Sequence, residues 1–314
     1  MIKMGKYRIG IDLGGTNIAA GIVDENYRIL KKGSVSTALP RSAEEICRDM
    51  VAIGHRLCEE AGLSYDSDIL SVGVGSPGII HNGVVLCAEN LDFHDVPLAD
   101  MLHDMTGKSV TVRNDGNAAA YGEFVAGSGK GCRSLVAVTL GTGVGGGIIL
   151  NGKIVEGMGA AGEIGHIVTH AGGKPCACGK RGCFEANCSA TALIKSTILA
   201  MENNPDSRLW EIARSTSLVN GKTAFDGMRL GDPVAAAVVN GFIRDLAIGI
   251  SNIIILLQPE ILCIGGGICK EGDTLLEPLR ALVTEQTYAC GNRRTQLLAA
   301  SLGNDAGIIG AAAE

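Results

Sequence analysis

Apolar residues recur along this chain with two periods, one typical of strands and one typical of helices. Tyr7–Leu13 alternates toward a glycine turn and predicts a strand. Ile18–Val23 and Arg28–Ser36 predict two more strands, joined by a polar turn. A helix is predicted from Ser42 to Gly62, because apolar residues recur there at helical spacing between a residue suited to the N-cap and one suited to the C-terminal end.

The rest of the chain continues to mix strands with helices, which predicts an α/β fold. Further strands are predicted at Ile69–Gly75, Ser109–Arg113, Pro259–Ile264 and Thr295–Ala299. Further helices are predicted at Leu98–Met105, Asn114–Phe124, Thr274–Tyr288 and Asp305–Ala313. Loop residues dominate between Gly157 and Cys183, and the chain is then largely helical to Leu257.

The two halves of the chain begin alike. Ile9–Thr16 is an apolar strand that runs into a glycine and threonine turn, and Val136–Thr142 repeats that pattern. Two glycine hairpins can resemble each other by chance, but the order of strands and then helices repeats as well, so we favour a duplication. We expect two domains, residues 1–113 and 114–302, with the last helix, about 303–314, returning to the first domain.

The net charge of −6 excludes some classes of partner. No basic run is present that would grip nucleic acid or an anionic membrane, so an anionic ligand must be held by backbone N–H groups, helix N-termini and a metal. No signal peptide fits before Tyr7, and the apolar stretch between Asp245 and Glu260 is too short and interrupted to span a bilayer. We therefore expect a cytoplasmic protein whose 11 cysteines are reduced.

Two glycine turns are candidates for phosphate binding. The first comprises Asp12, Gly14, Gly15, Thr16 and Asn17, and the second runs from Gly141 through Thr142 and Gly143 to Gly147. Glycines let the backbone approach a phosphate, whose oxygens the turn N–H groups can bond. Asp12 is placed to hold Mg²⁺ through water. Either turn alone is compatible with an ordinary hairpin, and the pair is the stronger signal.

Asn114 and Asp115 follow a strand and open a helix. Both residue types are preferred as helix caps, so plain capping explains them. A carboxylate at the carboxyl end of a strand is equally typical of a ligand site in an α/β fold. The residues alone leave these two interpretations open.

Four soft metal ligands lie within a short loop. His166, Cys176, Cys178 and Cys183 match a closed, tetrahedral structural zinc site, and His170 competes with His166 as the fourth ligand. Two carboxylates, Glu163 and Glu185, flank this set. They suit the hydroxyl groups of a sugar, although solvated loop charges would look the same. We expect the metal to position the residues that contact the sugar. Loss of the metal should change the affinity for ATP less, because both glycine turns lie outside this loop in the sequence.

These motifs together resemble one known family. The set is Asp12-Leu-Gly-Gly-Thr-Asn17, Asn114-Asp115, Gly-Glu163-Ile-Gly-His166, Cys176-x-Cys178-Gly-x-x-Gly-Cys183-x-Glu185 and Leu302-Gly-Asn-Asp-Ala-Gly307. It is similar to the ROK family of repressors, open reading frames and sugar kinases, in order and over essentially the whole chain. The resemblance implies an actin-like ATPase fold, that is, a ribonuclease H-like duplicated two-domain fold with a central cleft for a hexose and ATP.

The resemblance also implies roles for single residues. Asp115 would be the catalytic base, and His166 would bind zinc with one ring nitrogen and face the sugar with the other. Adenosine would lie against Gly265, Gly266 and Gly267. The implied zinc ligands are His166, Cys176, Cys178 and Cys183. The implied sugar contacts are Asn90, Asn114, Asp115, Glu163, His166 and Glu185.

The segment Asn90–Leu98 resembles the glucokinase branch of the family, with Phe93 where that branch usually has tryptophan. We therefore expect phosphorylation of glucose at its 6-hydroxyl, with ATP, Mg²⁺ and structural Zn²⁺. The alternatives are a kinase of N-acetylmannosamine, N-acetylglucosamine, allose or fructose, and a non-enzymatic sugar sensor. Family repressors carry a DNA-binding domain before the aspartate-glycine-glycine motif. Only eleven residues precede Asp12 here, so we expect none. A homodimer or a dimer of dimers is the family expectation.

Overall fold

The computed structural model describes residues 6–287 and 294–313, and in them it contains two five-stranded sheets, a small third sheet and a set of helices. The strands are β1 Tyr7–Leu13, β2 Asn17–Val23, β3 Ile29–Ser36, β4 Ile69–Ser76, β5 Ile79–His81, β6 Val84–Ala88, β7 Phe93–Val96, β8 Ser109–Asn114, β9 Leu135–Leu140, β10 Val144–Leu150, β11 Lys153–Ile154, β12 Ile261–Gly265 and β13 Gln296–Ala299. The helices are α1 Ala43–Ala61, α2 Tyr65–Asp68, α3 Leu98–Thr106, α4 Asp115–Val125, α5 Phe184–Cys188, α6 Ala190–Asn203, α7 Leu209–Ala213, α8 Thr223–Arg229, α9 Pro233–Leu257, α10 Asp273–Gln286 and α11 Asp305–Ala312.

The two large sheets repeat one strand order. The first is β3-β2-β1-β4-β8 and the second is β11-β10-β9-β12-β13. In the first, β2 pairs antiparallel with β1 and with β3, while β4 pairs parallel with β1 and β8. In the second, β10 pairs antiparallel with β11, and β12 pairs parallel with β13. The repeated strand–glycine–strand pattern in the sequence corresponds to this repeated topology.

The described residues divide into two compact units. One comprises those within Met1–Ala137, Gly147–Gly162 and Ser301–Glu314, and the other those within Val138–Gly146 and Glu163–Ala300. The chain thus returns to the first unit for its final helix. The boundary expected between residues 113 and 114 stays a prediction.

Helix α1 begins and ends where the sequence predicts. The Ser42 side chain accepts a hydrogen bond from the Glu45 N–H, and the Glu45 carboxylate accepts one from the Ser42 N–H, which makes a capping box. Gly62 ends the helix in the left-handed conformation, with φ of 68°. The apolar face of α1 packs into the core formed with the first sheet, where Ile46, Met50 and Leu57 are fully buried. Burying each such side chain stabilises the fold by about 1.5–3 kcal/mol.

Some elements escaped the sequence analysis. The three-stranded sheet β5-β6-β7 and the single turn α2 were not predicted. Their strands have three to five residues each, too few to show a clear period. Phe93, at the start of β7, is buried in the core of the first unit. The predicted end of α10 at Tyr288 lies outside the described residues.

Helix α9 contains most of the apolar stretch between Asp245 and Glu260 and begins well before it. It runs for 25 residues from Pro233, with Asp232 as its N-cap and proline at its first position. By length and composition it passes the test for a membrane span, and it is the one helix of the described residues that does so. That is weak evidence, since 56% of the window is buried inside the fold and a core helix passes the same test.

Helix α11 packs with its backbone almost directly on its neighbours. A Cβ added to Gly10 of β1 would overlap the carbonyl oxygen of Ile308, and one added to Gly73 of β4 would overlap that of Ala311. A Cβ on Gly310 of α11 would overlap the carbonyl oxygen of Ala118 in α4. Glycine is required at these positions because two backbones approach with no room for a side chain.

We expect Gly310→Ala to lower the free energy of unfolding by about 3 kcal/mol, because the new methyl group must push α4 and α11 apart. The matched control is Gly241→Ala in α9, where the nearest atom to an added Cβ is the end of the flexible Arg244 side chain at 3.9 Å. That change should be neutral or stabilise by up to about 1 kcal/mol, as alanine favours a helix over glycine. Urea denaturation of both variants measures the difference. Equal stabilities would contradict the packing argument.

Candidate active site

The first glycine turn connects β1 to β2 and presents free N–H groups. The Gly14 N–H donates to the Asn17 carbonyl oxygen at 2.9 Å. Thr37, fully buried, holds the turn from behind: its hydroxyl donates to the Gly14 oxygen at 2.6 Å and its N–H to the Thr16 oxygen at 3.0 Å. Within the described residues, the N–H groups of Gly15 and Thr16 have no acceptor. They can therefore bond the oxygens of an anion.

The second glycine turn, between β9 and β10, repeats this arrangement with other partners. The Gly141 N–H donates to the Gly143 oxygen at 3.0 Å. The start of α6 holds the carbonyl groups: the Ala190 N–H donates to the Gly141 oxygen and the Thr191 hydroxyl to the Thr142 oxygen, both at 2.8 Å. In the part of the chain that the structure describes, the N–H groups of Thr142 and Gly143 have no acceptor.

The third glycine run lies beside this second turn. Gly266 has φ of 93°, and a Cβ there would overlap the carbonyl oxygen of Leu140, the residue before the turn. An added Cβ on Gly265 would lie 3.9 Å from the Thr139 hydroxyl. The structure thus brings two of the predicted nucleotide segments, Gly141–Gly143 and Gly265–Gly267, together in one unit.

Asp12 and Asp115 form a pair of neighbouring carboxylates in the first unit. Asp12 lies near the end of β1, half-buried, with Gly307 of α11 packed against it: a Cβ on that glycine would lie 3.0 Å from the carboxylate. Burial, and next the charge of Asp115, raise the pKa of Asp12 from its ordinary value of 3.8 to about 6. A cation at this place would favour the ionised carboxylates and so lower this pKa.

The sequence left open whether Asn114 and Asp115 are helix caps or part of a ligand site. Asn114 caps α4, its amide oxygen accepting from the Asn117 N–H at 3.1 Å while its amide nitrogen donates to the Gly78 oxygen at 3.1 Å. Asp115 is exposed in the first turn, and its carboxylate accepts from the Gly116 N–H at 2.8 Å. The cap is therefore Asn114, and the carboxylate of Asp115 is not needed for it.

Asn90 lies against the first glycine turn. It is exposed, and a Cβ on Gly15 would come within 3.2 Å of its carbonyl oxygen. The first unit thus places a predicted sugar residue next to a predicted phosphate turn. A side chain at position 15 would displace the backbone of Asn90.

The predicted metal ligands converge. One ligand atom from each of His166, Cys176, Cys178 and Cys183 lies within 4.8 Å of all the others. The Cys178 and Cys183 sulfurs are 3.6 Å apart, and Cys176 Sγ is 3.6 Å from His166 Nδ1. Zn–S bonds of about 2.3 Å place the corners of a tetrahedron about 3.7 Å apart, so the spacing fits zinc.

The competing ligand His170 faces another group. Its Nε2 is 3.4 Å from Asp245 Oδ1 in α9, and its Nδ1 is 3.1 Å from the Thr169 hydroxyl. It is not part of the four-ligand cluster. Of the two histidines, His166 is the one in the cluster, with Nδ1 turned toward it.

The thiols need a cation to act together as ligands. Burial raises the pKa of Cys183 to about 12, while the Lys180 N–H lowers the pKa of the exposed Cys178. Thiolates are the metal-binding form. A bound zinc ion would supply the charge that keeps the buried Cys183 deprotonated.

Glu185 connects this cluster to the second glycine turn, which the sequence analysis did not foresee. Its Oε2 accepts from the Val144 N–H at 3.0 Å, and its Oε1 is 3.7 Å from Cys176 Sγ. A Cβ on Gly143 would overlap this carboxylate. The second glycine turn, although outside the metal loop in the sequence, is thus in direct contact with it through Glu185. Glu163, in contrast, is exposed, and its side chain has no hydrogen-bond partner among the described residues.

Glu123 in α4 is a buried acid that the sequence analysis missed. It is only 3% exposed, and its carboxylate accepts from the N–H and hydroxyl of Ser128 and of Ser301 and from the Leu302 N–H, at 2.7–3.2 Å. These hydrogen bonds connect α4 to the turn that precedes α11. The signal in the sequence was an acid within a run of small and apolar residues, Ala118–Ala126.

The raised pKa of Asp12 makes a pH-dependent prediction. Protonated Asp12 makes its full contribution to the free energy of unfolding below its ordinary pKa of 3.8. That contribution is lost as the pH rises through about 6, because the fold disfavours the ionised carboxylate. Asp12→Asn removes the charge. Without magnesium or nucleotide, it should be more stable than wild type at pH 8, by up to about 3 kcal/mol, and equal to it near pH 4.

Urea denaturation midpoints across this pH range measure the effect. The control Asp104→Asn, at an exposed position of α3, should show no such trend. A difference between Asp12→Asn and wild type that does not change with pH would contradict the prediction.

Comparison with known proteins identifies the family of the chain. The model of the ROK family matches residues 8–313. A glucokinase of Thermotoga maritima is 38% identical over 308 residues, which cover 97% of this chain and 95% of that protein. The structure of a ROK family glucokinase from Streptomyces griseus in complex with glucose and AMPPNP matches with a TM-score of 0.80 and 37% identity, over 98% of each chain. A ROK hexokinase from Thermus thermophilus matches with a TM-score of 0.79 and 31% identity, over 98% and 96%. The actin-like ATPase fold is thereby confirmed, and the chain belongs to the ROK family.

Proposed function

We propose that this protein is an ATP-dependent glucokinase that transfers the γ-phosphoryl group of ATP to the 6-hydroxyl group of glucose. The observation that carries this is the pairing of the Asp12 and Asp115 carboxylates in the unit that also holds the first glycine turn and Asn90. The glucokinases of Thermotoga maritima and Streptomyces griseus, similar over nearly the whole chain, support glucose as the substrate.

The proposed sugar contacts are six polar side chains. Asn90, Asp115 and Glu163 are exposed, and His166 and Glu185 are half-buried beside the metal cluster. Asn114 is engaged as a helix cap and has one amide hydrogen left to offer. Carboxylates, amides and an imidazole supply the fixed acceptors and donors that sugar hydroxyl groups need. The group comprises Asn90, Asn114, Asp115, Glu163, His166 and Glu185.

Asp115 is the proposed general base. It takes the proton of the 6-hydroxyl group as the oxygen attacks the γ-phosphorus, which is typically worth about 10²–10⁴ in rate. Asp12 holds Mg²⁺, which neutralises phosphate charge when bound. The free N–H groups of the two glycine turns bond the phosphate oxygens, and adenosine lies against Gly265–Gly267. Alignment by these groups accounts for the rest of the catalysis.

The cysteine cluster is the proposed zinc site, held by His166, Cys176, Cys178 and Cys183. The site is closed, with four protein ligands, so the ion has a structural role. We further propose a cytoplasmic enzyme that forms a homodimer or a dimer of dimers.

Steady-state assays with ATP and Mg²⁺ test the substrate. We expect glucose to have the highest kcat/KM in a panel with N-acetylmannosamine, N-acetylglucosamine, allose and fructose, and the product to carry phosphate at the 6-position. An N-acetylhexosamine that exceeds glucose tenfold would reject glucose but keep the kinase assignment. Sugar binding without any turnover would favour a non-enzymatic sensor.

Asp115→Asn tests the base. Asparagine keeps the shape and can still bond to the sugar, but it cannot accept the proton. We expect kcat to fall by roughly 10² or more, while the Kd for glucose stays within a few-fold of wild type. The control Asp104→Asn should have wild-type kcat. A turnover number of Asp115→Asn close to wild type would remove Asp115 from this role.

A further inference from the structure

A short segment, residues 183–191, links the metal cluster to the second glycine turn. It begins with the ligand Cys183, continues through α5 with Glu185, and ends at Ala190 and Thr191 in the first turn of α6. We call it the connecting segment. Every contact described below lies within one compact unit of the chain.

Three hydrogen bonds join the connecting segment to the glycine turn. The Glu185 carboxylate accepts from the Val144 N–H at 3.0 Å. At the other end of the segment, Ala190 and Thr191 donate to carbonyl oxygens of the turn, each at 2.8 Å. These bonds occupy the carbonyl groups and the last N–H of the turn, and so leave the N–H groups of residues 142 and 143 for a ligand.

The same segment is bound to the cluster at its other side. Cys183 is itself a ligand and lies two residues before Glu185, and Cys176 Sγ is 3.7 Å from Glu185 Oε1. Glu185 is thus bracketed by two metal ligands, one along the chain and one in space. Its carboxylate reaches from the cluster to the turn.

The backbone of the connecting segment is held by contacts of its own. Phe184 is fully buried, its N–H donates to the Ile167 oxygen at 2.8 Å, and its ring fills the space beside Gly249 of α9, where an added Cβ would overlap it. The Ser189 hydroxyl caps α6 by accepting from the Ala192 N–H at 3.1 Å. These contacts hold the backbone of the connecting segment from several sides, so the cluster acts on the turn through the Glu185 side chain, whose Oε1 lies 3.7 Å from Cys176 Sγ.

The cluster loop, in contrast, depends on its metal. Residues 174–181 are almost all exposed, and Gly172, Gly179 and Gly182 adopt positive φ. Such a loop has little apolar surface to bury against the entropy of ordering. Metal binding supplies that free energy, as in other structural zinc sites.

We propose that the metal cluster positions the second glycine turn through Glu185, so that the affinity for nucleotide depends on whether the cluster holds its metal. The inference rests on the proposed function in one respect, that a nucleotide phosphate binds at this turn. In it, Glu185 is a positioning residue on the nucleotide side, in addition to its proposed sugar contact.

Calorimetric titration with AMPPNP and Mg²⁺, without sugar, tests the inference on the full-length protein. The proteins are wild type, Glu185→Ala and Glu185→Gln, each as purified and after removal of metal by a chelator. Elemental analysis should find about one zinc per chain before treatment, as one four-ligand site implies. Circular dichroism checks that the fold survives the treatment.

Loss of metal should weaken nucleotide binding by wild type roughly fivefold to tenfold, the effect of about one misplaced hydrogen bond to a charged group. Metal-loaded Glu185→Ala should bind AMPPNP as weakly as wild type without metal. Removal of metal from this variant should then change its affinity little. Glu185→Gln keeps an oxygen for the Val144 N–H but not the charge, so it should bind nucleotide more tightly than Glu185→Ala and keep some dependence on metal. Equal affinities of wild type with and without metal would overturn the inference. So would a Glu185→Ala variant that binds nucleotide as tightly as wild type, a comparison that stands even if the stripped protein unfolds.

Variants of Thr191 separate this inference from the proposed function. Thr191→Val removes the hydroxyl that holds the Thr142 oxygen and should weaken nucleotide binding in metal-loaded protein, while Thr191→Ser should restore it. If Thr191→Val weakens binding but removal of metal does not, the inference alone fails. If neither change affects the affinity, the turn is not the nucleotide site, and the proposed nucleotide site fails together with the inference.

Discussion

The close approach of backbones around α11 is the constraint on which the first unit depends. Gly10 on β1, Gly73 on β4 and Gly122 on α4 have no side chains to separate these elements from the final helix. In each contact, the backbone of a strand or helix lies against carbonyl groups of α11. The first unit therefore contains residues from the beginning of the chain and its last described helix. Glu123 adds a polar fastening, because its carboxylate binds the turn from which α11 starts. The high glycine content of the chain has part of its explanation here.

This packing has a consequence for the chemistry. Because α11 comes so close to β1, Gly307 lies against the Asp12 carboxylate, and a Cβ at that position would come within 3.0 Å of it. Asp12 is therefore partly desolvated beside Asp115, and its pKa is raised to about 6. Without a bound cation, burial and the neighbouring charge disfavour the ionised form of the Asp12 carboxylate. A site that destabilises the empty protein in this way is well suited to bind a cation, since the cation relieves the repulsion that the packing creates.

Local patterns in the sequence predicted what short-range physics determines. The capping box of α1, the glycine at its end and both glycine turns follow from neighbouring residues, and the structure confirms them. The four residues of the candidate metal cluster were identifiable because they lie within one short stretch of the sequence. In contrast, the choice between His166 and His170 depends on Asp245, which is distant in sequence. The roles of Glu123 and Glu185 depend likewise on backbone groups that only the fold brings near. Such long-range partners leave no periodic signal in a single sequence.

The two glycine turns share a geometry but are held by different means. In the first, Thr37 is buried and fixes the carbonyl groups from within the core of its unit. In the second, the equivalent bonds come from the start of α6, at the end of a segment that begins at a metal ligand. A core residue keeps its position as long as the unit is folded, whereas we propose that the Glu185 contact to the second turn depends also on the order of the exposed cluster loop. If the turns arose by duplication, the repeat preserved the exposed N–H groups and not the support behind them. Under the coupling we propose, the first turn is held by the folded core, and the second depends also on metal bound at the cluster.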